Sequence, residues 1–336
     1  MPAAIGIVGT GTAARTHATA YGRMPSVQVR WSLSDDGSRS RRFAEKHGVM
    51  HHTTRFEDLL ADPRVTLIDL CNISCRHIDF ADRALGAGKG VIIEKPLDAD
   101  PEKAVAFFQK HCATPLPILV VYQYPYSQTF SKLADICRHM VYGRLKSYRV
   151  DYFTRRDAAY YRRWPADPKA CGGGVLINQG IHIINLIYGM IGYAPMQVSA
   201  VRANLVHEVA VEDTIIIQTV HENGILGSFR FSTALPSQLY MEYLFEKTRV
   251  FTSGGTVMIQ GETQIEVPTP AKGEFGHLAE DFFSGMQQDP GLHMNFASGV
   301  KDLKMIQAAY DSAARGHAID FFPEISTADR AAASPE

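Results

Sequence analysis

The sequence predicts an α/β chain in two parts, a parallel, doubly wound sheet followed by a domain built on an antiparallel sheet. Three observations predict it. Over about the first 120 residues, short apolar runs alternate with helix-like stretches; from about residue 144 the runs lengthen and the helical stretches thin out. The chain, at 336 residues, is also longer than one core usually supports.

The early runs are IGIVG, QVRWSLS, VTLIDLCNI, GVIIEKP and LPILVVYQY. Between them lie stretches such as SRSRRFAEKHG and IDFADRALGAGK, in which a late glycine reads as a helix stop. Such a βαβ series forms a parallel sheet. The later runs are LKSYRVDYF, APMQVSAVRANLV, DTIIIQTVHENGILGSFRFSTA, TRVFTSG and TVMIQG. HENG joins two strands, because Asn-Gly supplies the positive φ angles of a type I′ turn. Helices are expected at 174–188, 278–286 and 299–315. The domains expected are 1–122 and 123–322, with a polar tail at 323–336 that lacks the apolar residues to order itself.

Bulk properties narrow the function. A formal charge of −1 and a pI near 6.9 lack the electrostatic footprint of a nucleic-acid or acidic-membrane binder, so a small-molecule partner is expected. The apolar run Ile5 to Val8 is too short for a signal-peptide core, and no 18 apolar residues run together, so the chain is expected in the cytoplasm. Five cysteines, Cys71, Cys75, Cys112, Cys137 and Cys171, are an odd number without a CxxC pair. They suit a reducing compartment, and no metal site is expected from their spacing.

Two motifs carry chemistry. The first apolar run ends in GTGTAARTH, which gives Gly9, Gly11 and Ala14 the G-x-G-x-x-A spacing, with Thr12 and Ala13 opening the helix. Gly9 permits a tight turn, Gly11 lets backbone approach a pyrophosphate at the helix N-terminus, and Ala14 lets helix and strand pack closely. An acid about 20 residues on binds the adenosine ribose; Ser34 and Asp35 fall there, which favours NAD over NADP. Arg39 and Arg41 are the nearby basic residues that a 2′-phosphate would use. The second motif is VIIEKPLD at residues 91 to 98, where a run suited to a buried parallel strand ends in two full charges, Glu94 and Lys95. Pro96 stops the strand there.

In order, GTGTAARTH, VTLIDLCNISCRHIDFA, GKGVIIEKPL, VYQYPYS, CGGGVLINQGIHIINLI and VEDTIIIQTVHENGILGSF resemble the landmarks of the Gfo/Idh/MocA oxidoreductases. The resemblance implies a Rossmann domain followed by an α/β domain with a large open sheet, and nicotinamide-dependent chemistry on sugars or cyclitols. It implies that Lys95 reaches the reacting hydroxyl or carbonyl and that Glu94 lies on the nicotinamide side. Asn72, Ser74 and His77 stand where the family's turn lies beside the ribose, with Ile73 in place of its usual proline. Gln123 matches an Asn/Gln near the nicotinamide, and Pro125 stands where an arginine is common.

His182 carries the family's histidine, and Asn178 stands where many members have aspartate. Asn178, His182 and Asn185 recur at i, i+4 and i+7, one helical face. Arg163 and Trp164 resemble the approach to the substrate. Lys95 and His182 are then expected to flank one hydroxyl, His182 as leading proton acceptor. The substrate expected is a free, phosphorylated or nucleotide-linked sugar, an aminosugar or a cyclitol, reacting at C3, in an aminoglycoside or deoxysugar route. The family also contains NAD-dependent glycosidases and non-catalytic regulators, which stay open as alternatives, and a homodimer or homotetramer through the second sheet is expected.

Overall fold

The structure, a computed structural model, describes residues 3–162, 166–192, 195–253, 256–261 and 273–322. The chain divides into two compact units, Met1–Gln123 with Ala271–Gly299, and Tyr124–Pro270 with Val300–Glu336.

The first unit begins with six strands and five helices in alternation. The strands are β1 (Ala3–Val8), β2 (Val27–Leu33), β3 (His51–Thr53), β4 (Leu67–Leu70), β5 (Gly90–Ile93) and β6 (Ile118–Val120). The helices are α1 (Thr12–Tyr21), α2 (Gly37–His47), α3 (Phe56–Ala61), α4 (His77–Gly86) and α5 (Pro101–His111). All of these strands pair in parallel in the order β3-β2-β1-β4-β5-β6. Every residue of β4, β5 and β6 is buried, which is why those segments read as unbroken apolar runs. Side chains set the helix starts: Asp36 accepts from the N–H groups of Ser38 and Arg39, and Asp100 caps α5 just before Pro101. The strand order reverses between β1 and β4, the topological switch point where open α/β sheets bind ligands.

The second unit opens with α6 (Gln128–Arg138), β7 (Leu145–Phe153), α7 (Ala158–Tyr161), α8 (Pro168–Cys171) and α9 (Ile181–Ile191). Strands β8 (Pro195–Ala203), β9 (Thr214–His221), β10 (Leu226–Ser232), β11 (Gln238–Phe245), β12 (Arg249–Ser253) and β13 (Thr256–Ile259) follow. The chain then gives α10 (Glu274–Gln288) and β14 (His293–Met294) to the first unit, where β14 pairs beside β6. The 20-residue α11 (Phe296–Arg315) leads back to β15 (Ile319–Asp320).

The second sheet runs β13-β12-β11-β7-β10-β9-β8-β15, antiparallel except where β7 and β10 pair in parallel. The β9–β10 turn is the predicted Asn-Gly hairpin, with Gly224 at φ +80°. One face of the sheet buries Ile215, Ile217, Phe229, Phe231, Met241 and Tyr243. The other leaves Val201, Ile216, Val220, Leu226 and Leu244 exposed.

Two expectations need correction. The boundary at 122/123 makes the region 123–322 one block, whereas residues 273–299 pack with the first unit, because β14 completes the edge of its sheet. The helix expected at 174–188 is not uniform: Leu176–Gly180 forms a π-turn, and the α-helical period begins at Ile181. The helical run Pro168–Ile191 has the length and apolarity to cross a bilayer, but 83% of its apolar 18-residue window is buried inside the protein, as in a core helix. The tail at 323–336 lies outside the described residues.

Candidate active site

The glycine-rich turn connects β1 to α1. Gly9 sits at φ +106°, and a Cβ there would come within 2.5 Å of the Cys71 carbonyl oxygen, so only glycine fits. Nothing lies within 4 Å of a Cβ built on Gly11, which leaves the space before the helix N-terminus open. Ala14 is fully buried, while Thr12 and Ala13 form the exposed and half-buried first turn. At the end of β2, Ser34 is buried and Asp35 exposed. The carboxylate of Asp35 is 3.8 Å from Arg76. Arg39 and Arg41 are paired with acids of their own segment, Asp36 at 3.3 Å and Glu45 at 2.8 Å.

The carboxyl ends of β4, β5 and β6 carry the next group. The Asn72 Oδ1 and Gln123 Oε1 atoms are buried without a hydrogen-bond partner, the state expected of acceptors meant for a ligand. Ser74 is buried at the start of a 3₁₀ turn. His77 departs from expectation. Its Nδ1 lies 2.8 Å from the Pro96 carbonyl and its Nε2 3.2 Å from the Asn72 carbonyl, so both ring nitrogens face backbone carbonyls rather than a ribose, and the neutral ring donates to one of them. Burial pushes its pKa below the usual histidine value.

Glu94 and Lys95 leave the buried end of β5 half-buried, and the Lys95–Pro96 peptide is cis. Burial holds the Lys95 ammonium below the usual lysine range, with the Glu94 charge pulling the other way.

In the second unit, three glycines precede the π-turn. A Cβ on Gly173, at φ +154°, would collide with the Tyr310 hydroxyl, and one on Gly174 would lie 1.9 Å from the Glu212 carbonyl oxygen. This close approach lets the buried Glu212 carboxylate accept from Gly174 N–H at 2.9 Å, Leu176 N–H at 3.1 Å and the Tyr310 hydroxyl at 2.9 Å. Burial raises the Glu212 pKa against the pull of those donors. Asn178 donates to the carbonyls of Gly173 and Gly174, at 3.4 and 3.2 Å, so its amide closes the same turn.

His182 is buried as the second residue of α9, and Tyr124 stacks on its ring at 4.6 Å and 14°. The Tyr124 hydroxyl is 2.9 Å from that of Tyr152. Asn185 donates to Asp302 at 2.8 Å, which anchors α9 to α11. Arg163 and Trp164 lie outside the described residues.

An open helix N-terminus, an acid beyond β2 and two orphaned acceptors at the carboxyl edge of the sheet fit a dinucleotide: Gly9, Gly11 and α1 could hold the pyrophosphate, Asp35 the adenosine ribose, and Asn72 and Gln123 the nicotinamide half. Residues 3–115 match the family described as "Oxidoreductase family, NAD-binding Rossmann fold", and residues 130–258 match the "GFO/IDH/MocA C-terminal domain". The chain belongs to the Gfo/Idh/MocA oxidoreductases. It is therefore an oxidoreductase with an NAD-binding Rossmann domain.

Among curated relatives, the trans-1,2-dihydrobenzene-1,2-diol dehydrogenase of Mus musculus is 24% identical over 85% of this chain and 90% of its own. Against another curated relative, the chain spans only 64% of the length. Among solved structures, levoglucosan dehydrogenase in complex with NADH and levoglucosan superposes with a TM-score of 0.87 at 19% identity, covering 96% of this chain and 100% of its own. GenD2 from gentamicin A biosynthesis, in complex with NAD, superposes with a TM-score of 0.83 at 22% identity, covering 96% and 97%. At these identities the structures establish the shared fold.

Four residues that brace these segments within their own units carried little signal in the sequence. Glu212 and His17 sit inside the quoted landmarks VED and GTGTAARTH, where nothing in the spacing marks their contacts. Tyr124 lies between Gln123 and Pro125, the two positions with family counterparts, and Tyr310 is one of many residues on an ordinary amphipathic helix.

Proposed function

We propose that this chain is an NAD-dependent dehydrogenase or ketoreductase acting on a secondary hydroxyl, or the matching ketone, of a sugar, aminosugar, nucleotide sugar or cyclitol, with C3 as the reacting carbon. The observation that carries the proposal is Lys95, delivered by a buried strand to the carboxyl edge of the sheet with its ammonium destabilised by burial. The likeness to levoglucosan dehydrogenase supports the substrate class, and the likeness to GenD2 supports an aminoglycoside or deoxysugar route.

Oxidising a secondary alcohol removes a hydride and a proton and leaves a ketone. When bound, NAD takes the hydride. The chain handles the proton. A depressed pKa leaves Lys95 neutral over more of the working pH range than a surface lysine, so it polarises the substrate oxygen and relays its proton. His182, its ring held by Tyr124, is the leading acceptor. Asn178 is neutral and committed to the glycine turn, so it orients the segment rather than adding charge. In the reverse direction the same two groups donate to the ketone oxygen. Arg163 and Trp164 belong to the proposed substrate contacts, and Thr12, Ala13, Ser34, Ser74 and Glu94 to the proposed surroundings of the cofactor.

Asp35 favours NAD, because a carboxylate accepts from both ribose hydroxyls and repels a 2′-phosphate. The exposed apolar side chains of the second sheet, which flank a groove lined by Arg149, Gln218 and Leu226, support self-association through that face as a dimer or tetramer. Five free cysteines suit a cytoplasmic setting.

A panel of sugars and cyclitols with NAD and NADP, followed at the NADH absorbance with product identification, tests the proposal. Net NADH with an identified ketone supports it. Aglycone release from a glycoside without net NADH replaces it with transient-oxidation glycoside cleavage, and tight NAD binding with no turnover across the panel replaces it with a non-catalytic binder.

A further inference from the structure

Helix α1 carries a histidine for which the proposed reaction has no task. His17 is 1% exposed, and its neighbours come from three other places in the first unit and from its own helix. Its Nδ1 lies 2.9 Å from Asp69 Oδ2 and 3.3 Å from Cys71 Sγ, both at the end of β4. Its Nε2 lies 3.1 Å from Glu94 Oε1, just past β5. Tyr21, one turn along α1, donates to Asp69 Oδ2 at 2.9 Å. Phe275 of α10 stacks on the ring at 3.6 Å and 4°. Both edges and one face of the imidazole are therefore held. The second oxygen of Glu94 accepts from the Lys95 backbone N–H at 3.1 Å, so the chain Asp69, His17, Glu94 ends on the backbone of Lys95.

An imidazole donates to carboxylates from both nitrogens only as the cation. Burial opposes that cation, but the charge of Asp69 and the hydrogen bonds to Asp69 and Cys71 outweigh the cost, so His17 stays protonated well above the usual histidine value. Nδ1, the Asp69 carboxylate and Cys71 Sγ lie within 4.8 Å of one another, a spacing that a metal ion could also bridge. The donors are already closed on each other by hydrogen bonds, the Cys71 thiol to Asp69 Oδ1 at 3.4 Å included. Burial also pushes the Cys71 thiol far above its ordinary value, which makes it a poor thiolate ligand. The cluster is filled by protons.

We propose that His17 is a positioning residue for the oxidoreductase reaction: bridging Asp69 and Glu94, it fixes the Glu94 carboxylate and, through it, the backbone from which the Lys95 side chain departs. The inference rests on the reading that Lys95 acts on the substrate. Its function is geometric, since about 1 Å of misplacement at a reacting group costs on the order of 100-fold in rate. The presence of a carboxylate beside the reactive lysine thereby acquires a reason. Held at one oxygen by His17 and at the other by the Lys95 N–H, the Glu94 carboxylate has a fixed place beside that lysine.

The test compares His17→Gln, Glu94→Gln, the double variant and Lys95→Ala in kcat, KM, NAD dissociation constant and melting temperature. His17→Gln is expected to fold, to bind NAD within about threefold of wild type and to lose about 10- to 100-fold in kcat with KM little changed. The double variant is expected to lose no more than Glu94→Gln alone, because both remove one chain of contacts. Losses that multiply, or a folded His17→Gln within twofold of wild type, overturn the inference. If His17→Gln does not fold, Glu94→Asp takes its place: it keeps the charge but is one methylene too short to reach His17, and wild-type kcat in that variant overturns the inference equally. Activity retained by Lys95→Ala overturns the underlying reading instead, so the two failures are distinguishable.

Discussion

Replacing Gly174 with alanine should separate cofactor binding from turnover. The added Cβ would stand 1.9 Å from the carbonyl oxygen of Glu212 and 2.8 Å from its Cδ, and the first is a backbone atom that cannot swing away. Reaching an ordinary contact of about 3.4 Å requires the start of the π-turn to move by about 1.5 Å. Overpacking of this kind costs about 1–3 kcal/mol. The movement also stretches the bonds from Gly174 N–H and Leu176 N–H to the Glu212 carboxylate, at 2.9 and 3.1 Å. Charge-assisted bonds are worth about 1.5–3 kcal/mol each, so losing one brings the total to about 3–6 kcal/mol. That lowers the melting transition of the second unit by roughly 10 °C. Asn178 and His182 ride on the displaced segment, so kcat should fall about 100-fold. The glycine turn, Asp35, Asn72 and Gln123 all belong to the first unit, so NAD titrated by fluorescence should bind within about twofold of wild type. A Gly174→Ala protein with unchanged melting and unchanged kcat would show that the close approach is not what positions the helix.

Other perturbations test the remaining roles. Lys95→Ala should bind NAD yet turn over at least about 100-fold more slowly, and near wild-type turnover would remove Lys95 from the chemistry. In the intact enzyme, alcohol oxidation should rise with pH through a value below the ordinary lysine 10.5, because the neutral amine is the competent form, and ketone reduction should fall over the same interval; matching limbs in Lys95→Ala would refute this. His182→Asn should lower kcat while leaving NAD affinity intact, whereas an unchanged rate would leave His182 a packing role. Asp35→Ser should narrow the preference for NAD over NADP, and a wild-type preference for NADP in parallel titrations would point to Arg39, Arg41 or Arg76. The raised pKa of His17, set among Asp69, Glu94, Cys71 and Tyr21, stabilises the fold fully below 6.5 and is lost as pH rises through the raised value. The melting temperature should therefore decline on the alkaline side more steeply in wild type than in His17→Gln.

The elements read from sequence are those whose burial is simple. β4, β5 and β6 are buried on both sides and read as plain apolar runs; β9 and β10 alternate and are joined by Asn-Gly. β14 was illegible because it is two residues long and gains its partner, β6, across more than 170 residues of chain. No local periodicity could mark it, and with it went the return of α10 to the first unit. The π-turn was hidden for a related reason: its cause is the approach of Gly174 to Glu212, a tertiary contact, while the sequence shows only a continuous helical pattern.

For the site, residue type was legible and commitment was not. Asn72 and His77 stand five positions apart in one quoted landmark, and both read as polar groups facing a ribose. In the fold their fates divide: Asn72 keeps an acceptor without a partner, whereas both nitrogens of His77 face backbone carbonyls, one of them that of Asn72 itself. The two outcomes are linked. Packed between the Asn72 and Pro96 carbonyls and donating to one of them, His77 fixes the turn that leaves the Asn72 side chain open, beside the same proline that follows Glu94 and Lys95. Replacing His77 with leucine should therefore loosen the Asn72 turn and the Lys95 turn together, weakening NAD binding and turnover at once, the opposite of the separation expected for Gly174→Ala. If His77→Leu lowered only one of the two, the brace would serve a single turn, and the Pro96 contact would be incidental to the Asn72 contact.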